Sequence, residues 1–135
     1  MCGIAGVLQQ PANDTVKHMI EKISIGVDIV EINRFKQIPY EKKPNFYKKM
    51  FSSDEIDYCL RFKNSYMHFA AKFALKEALK KSITEKVDLL DIETDHENNK
   101  PIVKIKNNAT YFFKTSISHD GDYAIAIVIS EKSLK

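Results

Sequence analysis

The chain has 135 residues, 44% hydrophobic and 29% charged, with a net charge of +3, which fits one globular domain large enough for its own core. No apolar run approaches the roughly 18 residues needed to cross a bilayer, and the start lacks the basic residues and long apolar region of a secretory signal. The only cysteines, Cys2 and Cys59, exclude a disulfide framework and a cysteine-based zinc site, so the expected setting is the cytoplasm, without a membrane partner.

Residues 11–14 read as a turn and N-cap, and residues 15–22 as a short helix. The opening MCGIAGVL resembles the start of N-terminal-nucleophile glutamine amidotransferases, in which the cysteine after the removed Met attacks a glutamine amide. That resemblance ends at Leu8, and no glutamine-binding motif follows. Residues 1–22 are therefore read as an extension and 23–135 as the functional domain.

Residues 23–32, ISIGVDIVEI, have the β-branched density of a buried strand. Period two puts Ile23, Ile25, Val27 and Ile29 on one face and Ser24, Gly26, Asp28 and Val30 on the other. Gly26 leaves room for a ligand or backbone to approach, and Asp28 needs a lysine partner or a metal. Residues 40–63 read as short helices, one of them capped by Ser53, or by Ser52 in a capping box with Glu55.

Residues 69–83, FAAKFALKEALKKSI, contain no Gly or Pro and should form a helix buried on many sides. Glu77 sits one turn after Phe73 and Ala74. It is either half of a Glu77–Lys81 surface pair or a buried carboxylate with a ligand. Asn64 or Ser65 can cap this helix. Residues 87–105 read as strand, turn, strand, with the turn at 95–99. A final hairpin is expected around Asp120-Gly121, with Ala124, Ala126 and Val128 forming a shallow face on which a helix can pack.

Charge is unevenly spread. Residues 34–50 carry six basic side chains (Arg34, Lys36, Lys42, Lys43, Lys48, Lys49) against Glu41, residues 61–81 carry six against Glu77, and residues 82–99 carry six acids against Lys86. Such segregation suggests an anionic partner or ligand, or else solvated helix faces. No basic-aromatic reader motif is present, so nucleic acid is not expected.

Four motifs occur in order: Gly26-Val-Asp28 followed by Arg34, FxxKEAxxK from Phe73 to Lys81, Asn99-Lys100-Pro101, and Ser116-Ile-Ser-His119. Together they resemble the holo-acyl-carrier-protein synthases, the small 4′-phosphopantetheinyl transferases, over residues 25–129. The resemblance implies an α+β fold with a small, mainly antiparallel sheet packed on a long central helix. It implies transfer of the phosphopantetheine arm of coenzyme A to a serine of an acyl or peptidyl carrier protein, with release of adenosine 3′,5′-bisphosphate. Asp28 and Glu77 would hold Mg2+, an ion that takes oxygen ligands and typically one or two carboxylates beside substrate phosphates. Glu77 and Lys81 would be catalytic. Lys72, Lys76, Lys100, Pro101, Ser118 and His119 would bind coenzyme A. Arg34, Lys42, Lys43, Lys48 and Lys49 would dock the acidic carrier. A homotrimer with sites between subunits is implied as well. The alternative is a catalytically silent module that only docks carrier proteins. Lys72 stands where many relatives have Arg, which replaces a fork by a point charge, and Asn99 replaces a common glycine.

Overall fold

The computed structural model describes residues 14–133; Cys2 and the rest of the amidotransferase-like opening lie outside them. The helices are α1 (Asp14–Glu21), α2 (Asn33–Lys36), α3 (Pro44–Lys48), α4 (Ser53–Leu60) and α5 (Ser65–Ser82), and the strands are β1 (Ile23–Glu31), β2 (Ile92–Glu97), β3 (Lys100–Ile105), β4 (Tyr111–Asp120) and β5 (Tyr123–Lys132). An antiparallel sheet in the order β1-β5-β4 packs on α5, and β2 and β3 form a second, two-stranded sheet. This is the α+β arrangement expected, an antiparallel sheet against one long helix.

Small residues set how closely sheet and helix meet. Ala124, Ala126 and Val128 of β5 and Ala70, Ala74 and Ala78 of α5 are all essentially inaccessible. A Cβ on Gly26 would stand 2.0 Å from the Ala78 carbonyl oxygen and 2.8 Å from the Ser82 nitrogen. Only glycine permits this approach. Farther along, Phe35 packs against Phe69 and Phe73, and Tyr47 lies 4.6 Å from Phe69 between ring centroids. The Tyr47 hydroxyl donates to the carbonyls of Phe35 and Ile38, tying α3 to α2 and the segment just after it. Cys59 is fully buried in this core.

The strand expected to be buried by its β-branched residues is oriented the other way. Ile25, Val27 and Ile29 are 64%, 48% and 61% exposed, whereas Gly26 and Val30 are buried. The alternation was correct, but the smaller face is the one that fits beneath α5. Across the outer face, Val27 pairs with Ile127 and Ile25 with Ile129, so an apolar surface covers two strands.

Turn positions also differ slightly. Leu89–Asp91 is a 3-10 turn, and β2 runs on to Glu97, so the hairpin turns on Asn98 and Asn99, both left-handed (φ 52 and 64). Asn tolerates that region where other residues do not. The last hairpin turns on Gly121-Asp122, one residue later than expected, with Gly121 at φ 57.

Candidate active site

Asp28 comes from β1 and Glu77 and Lys81 from α5. The strand and helix run in opposite senses, since Gly26 meets the last turn of α5 while Phe35 packs near its start. Two residues along a strand span about 6.7 Å and one helical turn about 5.4 Å. Asp28 therefore lies opposite the turn that carries Glu77. Lys81, one turn beyond, reaches across to donate to Asp28 Oδ1 at 3.0 Å and to the Val27 carbonyl at 3.1 Å. Lys81 thus pairs with Asp28 and not with Glu77.

Glu77 is half-buried, and its carboxylate has no hydrogen bond or ion pair among the described residues. Asp28 keeps 15% of its side chain accessible. Two carboxylates on neighbouring backbone segments, one of them uncommitted, suit a hard cation that takes few protein oxygens and completes its shell with water and phosphate. No group of three or more His, Cys, Asp or Glu side chains placed to hold a metal ion occurs among the described residues.

The remaining site residues divide around α5. At 100° per residue, Lys72 points about 140° from Glu77 and about 180° from Lys81. Lys72 is nearly buried, donates to Thr94 Oγ1 at 2.9 Å and lies 4.7 Å from the Tyr58 ring centre. It lines a groove of about 500 Å3 between α4, β2 and β3, and with Pro101 it borders a small cavity of about 30 Å3. His119 on β4 is exposed, two residues beyond Ile117, which lines that small cavity. Lys100 opens β3 and is exposed. Within one subunit, Lys72, Pro101 and His119 therefore form a group separate from Asp28, Glu77 and Lys81. Ser118 joins neither, because its register with Ile125 and Ile29 puts it on the outer apolar face.

Lys76 corrects an expectation. It is fully buried, and its ammonium donates to Glu55 Oε1 at 2.7 Å, the Met50 carbonyl at 2.8 Å and the Leu89 carbonyl at 3.0 Å. All three protons are used internally, leaving none for a phosphate. Lys76 and Glu77 are adjacent in sequence, but the helix turns them about 100° apart.

Sequence reasoning missed the other half of this pair. Glu55 was read only as a cap, and its capping box with Ser52 is present. Its carboxylate also accepts from Lys76 and from the backbone and side chain of Thr94. Burial raises its pKa, but these hydrogen bonds, the Lys76 charge and the Ser52 amide outweigh burial and hold Glu55 below the ordinary carboxylate range. Burial also draws Lys76 downward against the opposing pull of Glu55. The pair is ionised, since Nζ faces three oxygen acceptors.

Arg34 is exposed, with its guanidinium 5.0 Å from the Phe73 ring centre, one turn before Glu77. Lys42, Lys43, Lys48 and Lys49 are exposed around α3.

Residues 24–128 match the family model described as the 4′-phosphopantetheinyl transferase superfamily. The holo-[acyl-carrier-protein] synthase of Thermodesulfovibrio yellowstonii is 40% identical, with 82% of this chain and 98% of the relative covered. That of Geobacter metallireducens is 32% identical, covering 79% and 95%. Among solved structures, the Bacillus anthracis holo-(acyl-carrier-protein) synthase in complex with CoA (3′,5′-ADP) is 30% identical with a TM-score of 0.69, covering 82% of this chain and 96% of that one. The Helicobacter pylori synthase in complex with coenzyme A is 32% identical with a TM-score of 0.67, covering 79% and 99%. With the match running over most of the chain and nearly the whole length of these relatives, the chain belongs to the 4′-phosphopantetheinyl transferase superfamily, among its holo-[acyl-carrier-protein] synthases.

Proposed function

We propose that the protein transfers 4′-phosphopantetheine from coenzyme A to a serine of an apo acyl carrier protein in a Mg2+-dependent reaction. The observation that carries this reading is the close contact of Gly26 with Ala78 and Lys81 on α5, which sets the strand of Asp28 against the helix of Glu77, with Lys81 bound to Asp28. The relatives' names and the coenzyme A in two similar structures point to the same substrates.

The serine oxygen forms a bond to the phosphorus that bears pantetheine. The bond from that phosphorus to the bridging oxygen breaks, and the nucleotide leaves as adenosine 3′,5′-bisphosphate. Asp28 and Glu77 would hold Mg2+, which when bound neutralises and orients the diphosphate. Lys81, ion-paired with Asp28, supplies positive charge beside the developing negative charge. Glu77 is uncommitted, so one of its oxygens is the group able to accept the serine proton, directly or through a water. Arg34 and the lysines around α3 form a basic surface suited to an acidic carrier.

A homotrimer with shared sites is the assembly favoured. An exposed apolar face the size of two strands is characteristic of an interface. The Lys72, Pro101 and His119 group, turned away from Glu77 within one subunit, would complete the site of a neighbour. The cytoplasm is the setting where carrier protein and coenzyme A meet.

The test is incubation with apo carrier protein, coenzyme A and Mg2+, followed by intact mass measurement. The carrier should gain one pantetheine phosphate arm, and Glu77→Gln should abolish that gain while retaining the fold. A wild-type chain that binds carrier without any mass gain would instead be a silent docking module.

A further inference from the structure

Lys81 stands one residue before the end of α5, where helical order is weakest because the last carbonyls of a helix have no partner within it. No glycine caps this exit: Ile83 follows Ser82 with an extended backbone (φ -127, ψ 161). Two hydroxyls take the place of a cap. Ser82 Oγ donates to the Leu79 carbonyl at 2.8 Å, and Ser130 Oγ on β5 donates to the Ser82 carbonyl at 2.6 Å. Both serines are buried, Ser82 to 2% exposure and Ser130 to 1%. Ser130 follows Val128, the β5 partner of Gly26, by two residues, so the bond falls beside the contact at which Gly26 meets Ser82. Farther along the exit, Glu85 joins Lys132 and Tyr111, but at the surface, where such pairs contribute little.

We propose that Ser130 is a positioning residue for the transfer reaction: with Ser82 it clamps the last turn of α5 to β5, and that turn seats the Lys81 ammonium on Asp28. This rests on the transferase reading above and extends it to a buried side chain that has no access to substrate.

A lysine ammonium rides on a flexible four-carbon stem, so it is only as well placed as the backbone beneath it. The Lys81 side chain is 55% exposed, which leaves its bonds to Asp28 Oδ1 and the Val27 carbonyl to hold its far end. Its near end depends on the last turn of the helix. Without the Ser130 hydroxyl, the Ser82 carbonyl stays buried with its acceptor unsatisfied. The turn then relaxes towards water, and Lys81 is drawn off Asp28 with it. A displacement of about 1 Å at a reacting site costs on the order of a hundredfold in rate, so a small relaxation is enough.

The test is a double-mutant cycle between Ser130→Ala and Lys81→Met, with transfer to apo carrier protein read by intact mass and expressed per folded molecule. Ser130→Ala alone should lower kcat roughly tenfold while the KM for each substrate stays within about twofold. In the Lys81→Met background the same change should have no further effect on kcat, because the lysine it places is already gone. An equal fold-loss in both backgrounds means that Ser130 acts through overall stability, and overturns the proposal. Ser130→Cys, of similar size but with a weaker donor, should fall between serine and alanine, and it carries the same cycle should Ser130→Ala fail to fold. Amide hydrogen exchange supplies a readout independent of catalysis: Ser130→Ala should speed exchange over residues 80–85 and leave the first turns of α5 unchanged. Unchanged exchange at 80–85 beside normal wild-type transfer removes the clamp alone. A wild type that transfers nothing removes the transferase reading, and the positioning role with it.

Discussion

The Lys76 ammonium lies 2.7 Å from Glu55, and neither side chain is more than 4% exposed. Deleting one charge strands the other in the core, at a cost of about 3–5 kcal/mol. Lys76→Met and Glu55→Gln should each destabilise by that amount in urea denaturation. A Glu55→Leu/Lys76→Met double variant should recover most of it, since apolar replacement of a whole buried pair is often neutral. A double variant as unstable as the singles combined would mean the pair contributes through some other contact.

The same carboxylate gives an acid dependence. Glu55 titrates below its ordinary 4.5 when folded, so between the two values the unfolded chain binds more protons and stability rises with pH. The contribution is complete above about pH 4.5 and disappears as pH falls through the folded value. Thermal melting should show wild type losing stability below about pH 4.5, with a shallower loss in Glu55→Gln. Parallel curves would assign the acid sensitivity elsewhere.

Gly26→Ala should disable the protein through distance alone. The new methyl group meets backbone atoms at 2.0 and 2.8 Å, which cannot rotate aside, so strand and helix must separate at a cost of about 1–3 kcal/mol or more. Asp28 moves with the strand. Transfer should fall more steeply than the fraction of folded protein; activity proportional to folded protein would show that the gap tolerates widening.

Mixing variants tests whether sites are shared. Glu77→Gln and His119→Ala subunits should each be inactive or nearly so, and co-refolded mixtures should regain activity where a good Glu77 meets a good His119. Mixtures no more active than their parts would place both residues in one subunit's site. Val27→Lys on the outer face should shift the assembly towards monomer in sedimentation and reduce transfer with it.

Charge reversal at Lys42 and Lys43 should raise the KM for carrier protein more than that for coenzyme A, and should weaken the dependence of association on salt. Equal effects on both substrates would remove these lysines from the docking surface.

Element types were largely legible because periodicity records them: the apolar run at 69–83 became most of α5, and the alternating faces of 23–31 were real. Which face turned inward was not legible. Large β-branched residues suggest burial, but proximity to α5 selected Gly26 and the alanines instead. The adjacency of Asp28 to the Lys81 turn followed from glycine two residues before the acid. Lys76 misled because neighbours in a helix point in different directions, and its partner Glu55 lies 21 residues away. A capping box explains why Glu55 sits at position N3, but nothing in that pattern announces a second use for the same carboxylate. His68 and His96 border one small cavity from α5 and β2, a placement that exists only in three dimensions.

Cys59 makes the folded state self-reporting. Its thiol is fully buried, and burial pushes its pKa up to about 12. Thiol reagents attack the thiolate, so modification of Cys59 has to pass through molecules whose core has opened. In a Cys2→Ser background, the labelling rate at that one sulfur would read out how often α4 and α5 part, without denaturant and while substrate or a second subunit is present.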